Sequence, residues 1–272
     1  MPEVGTELYR LIKVSGADAL EFLQGQLTQD VSLLENSANL PAAWCNPQGR
    51  VIATVRVIAI EDAIGLAVAE DICEDVCERL LRFRFRSDVS FEIAGDDWDG
   101  VATGLSANTE PSQTNELSVV AYESEMPLTE YFGLTSTVAA AVTDQALSIE
   151  DWQLRLIYAG VPFIGRANSE KFTPHMLNLD RLGAISFAKG CYTGQEIVAR
   201  TEHRGSSKRR LLRYTTESES VAVGDKLTDG DRVAGEVVNV SGNNLLAVTP
   251  VAMQHQALTI GDALAQPAAL PY

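Results

Sequence analysis

From about Leu211 onward the sequence is cut into short β-rich runs by Gly-Asp steps, and this pattern restricts the fold more than any other stretch. The runs are Arg210–Thr215, Val233–Val240 and Leu245–Thr249, and the breaks fall at residues 224–225, 229–231 and 261–262. Strands this short, joined by tight polar turns with no helical spacer, close on themselves as an antiparallel barrel; strand–helix–strand units would need longer connections. A small C-terminal barrel is therefore expected, and it uses too few of the 272 residues to be the whole protein.

The remainder mixes periodicities. "VSGADALEFLQGQLTQDV" offers Ser15 as an N-cap and Leu20, Leu23 and Leu27 at helical spacing. "NPQGRVIATVRVIAI" is a turn leading into a β-branched strand. "EDICEDVCERLLRF" is a helix with acids at its start, "FRFRSDVSFEI" alternates like a strand, and "SIEDWQLRLIYAGVPFIG" is a capped helix stopped by Gly160 and Pro162. Residues 104–118 are polar and aperiodic and read as an exposed loop. No apolar run approaches the roughly 20 residues that span a bilayer, and the N-terminus carries no basic-then-apolar leader, so a cytoplasmic protein without membrane contact is expected.

Charge narrows the partners. Lys and Arg total 21 against 37 Asp and Glu, a formal charge of −16, so any anion site must be a local basic island. One exists between Lys189 and Arg213, where seven basic residues meet only Glu196 and Glu202. It reads either as a solvated surface run or as a site for phosphates or carboxylates, which arginine forks suit. Lacking interleaved aromatics, it is a poor RNA signature.

"KGCYTGQE", Lys189–Glu196, sets Cys191 among a lysine, two glycines and Tyr192. Nearby cations favour the reactive thiolate, so Cys191 is either a functional thiol or a packed cysteine in a glycine-rich turn. Cys73 and Cys77 share a helix face with no further ligand to complete a metal site, and they read as core, as does Cys45. His175, His203 and His255 make no metal-spaced pair. Trp152 is a core ring or a stacking platform for a flat ligand. Phosphate-cradling, nucleophile-elbow and zinc-helix motifs are absent from the sequence.

Taken together, "HMLNLDRLGAISFAKGCYTGQEIVARTEHRG", "SGADALEFLQGQLTQDV", "NPQGRVIATVRV" and "YAGVPFIG" resemble the YgfZ family, a branch of the folate-dependent aminomethyltransferase (glycine-cleavage T-protein) superfamily. The family hallmark K-G-C-Y-x-G-Q-E is matched by Lys189, Gly190, Cys191, Tyr192, Gly194, Gln195 and Glu196. The resemblance implies an α+β protein of three lobes around a central hole. The lobes would be residues 1–40 with 115–200, residues 41–114, and a β-barrel at 205–272. It implies a tetrahydrofolate-type ligand in the hole and no bound metal. It also implies a role in maintaining iron–sulfur enzymes, transient partners through which tRNA modification would be served indirectly.

For the residues, the resemblance makes Cys191 the functional thiol with Lys189 and Tyr192 beside it. Trp152 and Tyr9 would border the folate, Tyr9 standing where relatives carry a Trp. Gln195, Glu196, Arg200 and Arg204 complete the expected folate contacts, the arginines facing its carboxylate tail. Aminomethyltransferases place an acid on the strand after the glycine turn, where this chain has Ala53 and Thr54, which argues against aminomethyl transfer. Two other readings stand beside this one: a folate-dependent one-carbon transferase using unrecognised groups, and an RNA-binding module built on the basic island. Cys191 alone offers one thiolate, too few for a stable cluster within the chain.

Overall fold

A computed structural model describes residues 8–37, 39–60, 62–95, 97–104, 117–142, 145–203, 207–218 and 220–272. Arg204 and most of the polar segment 104–118 lie outside these residues. The N-terminal half is built on a five-stranded sheet. Its strands β1 (Tyr9–Ser15), β2 (Asn39–Cys45), β3 (Val51–Ile60), β4 (Ala63–Ala69) and β5 (Ser90–Ile93) run in the order β2-β3-β4-β1-β5. Neighbours are antiparallel throughout. Helices α1 (Ala19–Gln24) and α2 (Cys73–Phe83) put Phe22, Leu23, Val76 and Leu80 into the core beneath it.

Two sequence expectations give way here. Ser15 ends β1 instead of capping a helix: α1 begins after Asp18, whose carboxylate accepts the Asp88 amide at 2.7 Å. The alternating "FRFRSDVSFEI" yields a strand only at Ser90–Ile93, because β1 offers an edge only to that segment and Phe83–Arg86 find no partner strand. The helix over "SIEDWQLRLIY" forms as read. It is α4 (Ile149–Tyr158), and the Ser148 hydroxyl accepts the Asp151 amide at 3.1 Å.

A three-stranded sheet of β6 (Trp98–Thr103), β7 (Leu117–Tyr122) and β8 (Leu128–Leu134), ordered β6-β8-β7, is flanked by α3 (Thr135–Ala141) and α4. Helix α5 (Gln195–His203) follows a long irregular segment. The C-terminal strands are β9 (Arg209–Thr216), β10 (Lys226–Asp229), β11 (Arg232–Ser241), β12 (Asn244–Pro250), β13 (Leu258–Ile260) and β14 (Ala263–Ala268). They close into the expected barrel, in the order β10-β11-β12-β9-β14-β13. Gly-Asp steps lie between β10 and β11 and between β13 and β14. Tyr214, Leu227, Val237, Leu245 and Leu258 fill it.

Strand pairing groups the first two sheets differently from the expected lobe bounds: residues 9–15 are hydrogen-bonded to residues 64–69 and 90–93, so a cut at residue 40 runs through one sheet. Among the described residues, no helix is long and apolar enough to cross a membrane.

Candidate functional site

The signature loop is seated by two glycines from distant parts of the chain. Gly49, in the "NPQG" turn between β2 and β3, has φ +65°, and Gly194 has φ +84°. Only glycine takes these values without strain. A Cβ on Gly194 would meet the Asn46 carbonyl at 2.5 Å and the Gly49 Cα at 3.1 Å. The two turns touch backbone to backbone, which is why each needs a residue with no side chain.

Lys189 is turned inward. Its ammonium donates to the Leu27 carbonyl at 2.9 Å and the Gln29 carbonyl at 2.7 Å. It lies 5.4 Å from the centre of the Tyr192 ring. Burial pulls its pKa down to about 8, partly offset by Asp30. Lys189 thus clamps residues 27–29 to the loop. The clamp is reinforced around Thr28: its hydroxyl donates to the Ala184 carbonyl at 2.6 Å and accepts the Ala43 amide at 2.8 Å, while Gln29 donates to the Gly183 carbonyl. Tyr192 is buried, which raises its pKa, with Cys45 adding to the effect. It packs the loop and offers no face for stacking.

Cys191 is exposed, whereas Cys45, Cys73 and Cys77 are buried. Burial pushes the Cys45 and Cys73 thiols up to about 12. Gly190 beside Cys191 has open space around it. Glu196 and Arg200 on α5 are also exposed and Gln195 is half-buried.

A second centre lies where the two sheets face each other. Glu130 on β8 is wholly buried. Its carboxylate accepts Trp152 Nε1 at 2.8 Å and Arg56 Nε at 3.4 Å. Burial, followed by the Glu130 charge, raises the Tyr9 pKa, and burial raises that of Tyr122. Burial works against the Arg56 cation, yet Tyr122, Glu130 and Tyr9 outweigh it and its pKa is raised. Tyr9 meets Trp152 at 5.5 Å, Phe132 at 5.5 Å and Phe163 at 5.2 Å between ring centres.

What opens beside this network is a cavity of about 90 Å³ with Thr54, Arg56, Tyr122, Leu179, Leu182 and Ala184 in its walls. Tyr9 and Trp152 do not line it; they act behind it, holding Glu130, which holds Arg56. Arg56 Nη2 is buried without a hydrogen-bond partner, an unmet donor on a cavity-lining side chain. Among the described residues, no carboxylate lines the cavity, and the Thr54 hydroxyl accepts the Ile164 amide at 3.2 Å. The cavity and the signature loop share a wall, since Ala184 is bonded to Thr28 and Thr28 lies between the two carbonyls gripped by Lys189.

Three arginines of the basic island are tied down within the fold. Arg209 donates to the Ala234 and Val248 carbonyls, and Arg210 to Asp180 and to the His175 carbonyl. Arg213 lies 3.8 Å over the Tyr158 ring and donates to the Ala269 carbonyl. His175, Asp180 and Glu202 place ligand atoms within 4.8 Å of one another. Arg210, 2.5 Å from Asp180, supplies the positive charge there, so the group reads as an ion-pair cluster. Sequence reasoning missed Arg56, Tyr122 and Glu130. The one signal in reach was an arginine in the middle of the apolar run "VIATVRVIAI".

The whole chain follows the fold of an aminomethyltransferase. It superposes on the crystal structure of glycine cleavage system aminomethyltransferase T from Bartonella henselae with a TM-score of 0.69 at 16% identity, covering 98% of this chain and 84% of that one. No family model matches the sequence. Relatives are nonetheless plain. The tRNA-modifying protein YgfZ of Hamiltonella defensa is 33% identical over 225 residues, 75% of this chain and 67% of that protein. The protein of the same name from Klebsiella pneumoniae is 33% identical over 75% of this chain and 68% of its own length. An uncharacterized protein of Haemophilus influenzae is 33% identical over 79% and 73%. The chain belongs to the YgfZ family of tRNA-modifying proteins.

Proposed function

We propose that this protein binds the ring end of a tetrahydrofolate-type ligand in the cavity between its sheets and supports the maintenance of iron–sulfur enzymes through the thiol of Cys191, serving tRNA modification through those clients. The observation that carries the reading is the unpartnered Nη2 of Arg56 at a cavity whose other walls are mainly aliphatic. A flat heterocycle with a polar edge satisfies both: Arg56 and Tyr122 meet its edge, and Leu179 and Leu182 its faces. One buried water needs about 10–15 Å³ on the same measure, so roughly 90 Å³ takes a fused-ring head group, with the remainder of a folate outside. The bound group would supply a one-carbon carrier. The chain would supply orientation through Arg56, held by Glu130, and a dry pocket.

Aminomethyl transfer is not part of this reading. β3 faces the cavity with Thr54, whose hydroxyl is already engaged by a backbone amide, and with Arg56, so that strand puts no carboxylate in place to move a proton. The family name of the relatives supports the tRNA connection, and the exposure of Cys191 on a loop braced by Lys189 supports its use as a thiol.

Calorimetric titration with tetrahydrofolate tests the cavity, using wild type, Tyr122→Phe and Cys191→Ser. Wild type and Cys191→Ser should bind equally, and Tyr122→Phe about tenfold more weakly, the scale of one buried hydrogen bond. Absence of binding to wild type would end the folate reading. In cells, Cys191→Ser should fail to restore an iron–sulfur enzyme defect while still binding folate; full restoration would end the thiol reading.

A further inference from the structure

The stretch "RLLRFRFRS", Arg79–Ser87, carries four arginines and no acid in a chain of charge −16. Leu81 to Arg86 are six consecutive exposed residues. Phe85 is 88% exposed and held at φ +44°, so a large apolar ring stands in water on a backbone conformation that phenylalanine disfavours. The Arg84 guanidinium pins the turn by donating to the Val89 carbonyl at 3.3 Å. Among the described residues, no hydrogen bond or ion pair engages Arg82 or Arg86, in contrast to Arg209, Arg210 and Arg213, which are all tied down.

Phe85 and Arg86 form one side of an open cleft of about 820 Å³, with Glu21, Gly25 and Gln26 opposite. That opposite side belongs to the signature loop's support. The Gly25 carbonyl accepts the Thr193 amide at 3.1 Å, and Gln26 Oε1 accepts Trp44 Nε1 at 3.4 Å and the Thr193 hydroxyl at 3.5 Å. Gln26 and the exposed Glu21 also line the cleft and bring a side-chain amide and a carboxylate to it.

We propose that this turn is a contact surface for single-stranded RNA. Phe85 offers its ring to an unstacked base, Arg82 and Arg86 take the adjoining phosphates, and Gln26 and Glu21 meet the polar edge of the base. The combination selects this partner. Free guanidinium groups suit any anion, but an exposed flat ring that lies between them in sequence and beside Arg86 in the cleft matches the alternation of base and phosphate along a single strand. An acidic peptide leaves the ring unused. An anionic membrane surface calls for a broad apolar face, for which one projecting ring is a poor substitute. Direct RNA contact goes beyond the proposed function, in which tRNA is served through client enzymes, and it does not depend on the folate cavity.

Fluorescence anisotropy with a short labelled single-stranded RNA, and with an unmodified tRNA transcript as competitor, tests the surface on the full chain. Phe85→Ala should weaken binding about tenfold or more, and Phe85→Trp should retain it. Arg82→Ala with Arg86→Ala should lower the slope of log affinity against log salt by about 1.4, the value for two phosphates on a single strand. All three side chains are exposed, so thermal unfolding monitored by circular dichroism should match wild type and separate binding from folding. The inference is overturned if wild type does not bind RNA, if Phe85→Ala binds as well as wild type, or if Lys208→Ala alone removes binding. Partition of wild type onto phosphatidylserine vesicles without RNA binding would likewise overturn it and reassign the turn to a lipid surface.

Discussion

Arg56 on β3 and Glu130 on β8 form an ion pair 3.4 Å long that joins two different sheets, with both side chains shut away from solvent. Trp152 brings α4 to the same carboxylate. A buried pair of this kind adds little over a well-packed apolar replacement, but removing one partner strands the other charge. Glu130→Ala is therefore expected to destabilise the protein by about 3–5 kcal/mol. Glu130→Gln, which keeps an acceptor for Trp152, should cost less, and the double change Arg56→Met with Glu130→Leu should recover most of the loss. Denaturant unfolding of the three variants measures this. A Glu130→Ala variant as stable as wild type would mean that the pair does not hold the sheets together.

The four cysteines should separate cleanly in reactivity. Cys191 is exposed, while Cys45 and Cys73 are buried with thiols pushed up to about 12. Brief treatment with iodoacetamide near neutral pH is expected to add one label to the native protein and none to Cys191→Ser, as read by intact mass. Labelling at Cys45 under native conditions would contradict the packing described.

Lys189 gives a pH signature of definite sign. Its folded pKa, about 8, lies below the ordinary 10.5. Below pH 8 the side chain is charged in both states, and the cost of burying the charge is constant. Between about pH 8 and 10.5 the unfolded chain holds the proton more tightly, so this residue's contribution to stability rises with pH. The stability of wild type relative to Lys189→Met should thus increase from pH 7.5 to pH 9. The variant itself leaves the Leu27 and Gln29 carbonyls without their donor and should lose about 1–3 kcal/mol for each that stays buried. A wild-type advantage that shrinks over this range would refute the assignment.

Gly190 and Gly194, four residues apart in the motif, should respond differently to alanine. A Cβ on Gly190 would have nothing within 4 Å, and Gly190→Ala should be close to neutral. Gly194→Ala combines a left-handed φ with a 2.5 Å approach to the Asn46 carbonyl and should cost more than about 1 kcal/mol. Melting temperatures check the contrast, and faster labelling of the buried Cys45 in Gly194→Ala would show the loop lifting off its seat.

The barrel and α4 were legible because their signals are local. Gly-Asp turns, a Ser148 cap and helical spacing each act within a few residues. "FRFR" misled for the converse reason: alternation specifies a strand only where a partner edge exists, and β1 offers one to Ser90–Ile93 alone. The basic island looked like an anion site because sequence shows charge and hides partners; Arg210 finds Asp180 and Arg213 finds Tyr158 only in three dimensions. Glu130 was invisible. Nothing in "LTEYFGL" distinguishes it from a surface acid, and its meaning comes from Arg56, which joins it from another sheet.

The contact between Gly49 and Gly194 also fixes an order of assembly. More than half the chain separates the two turns, so on the ribosome the first emerges long before the second. The hairpin can form early, because its pairing is local, whereas closing so long a loop comes late. Until residue 194 arrives, the Asn46 carbonyl stays unroofed and Cys191 has no platform. A chain that ends before residue 194 therefore cannot present this thiol on its seat, however well its first hairpin has formed.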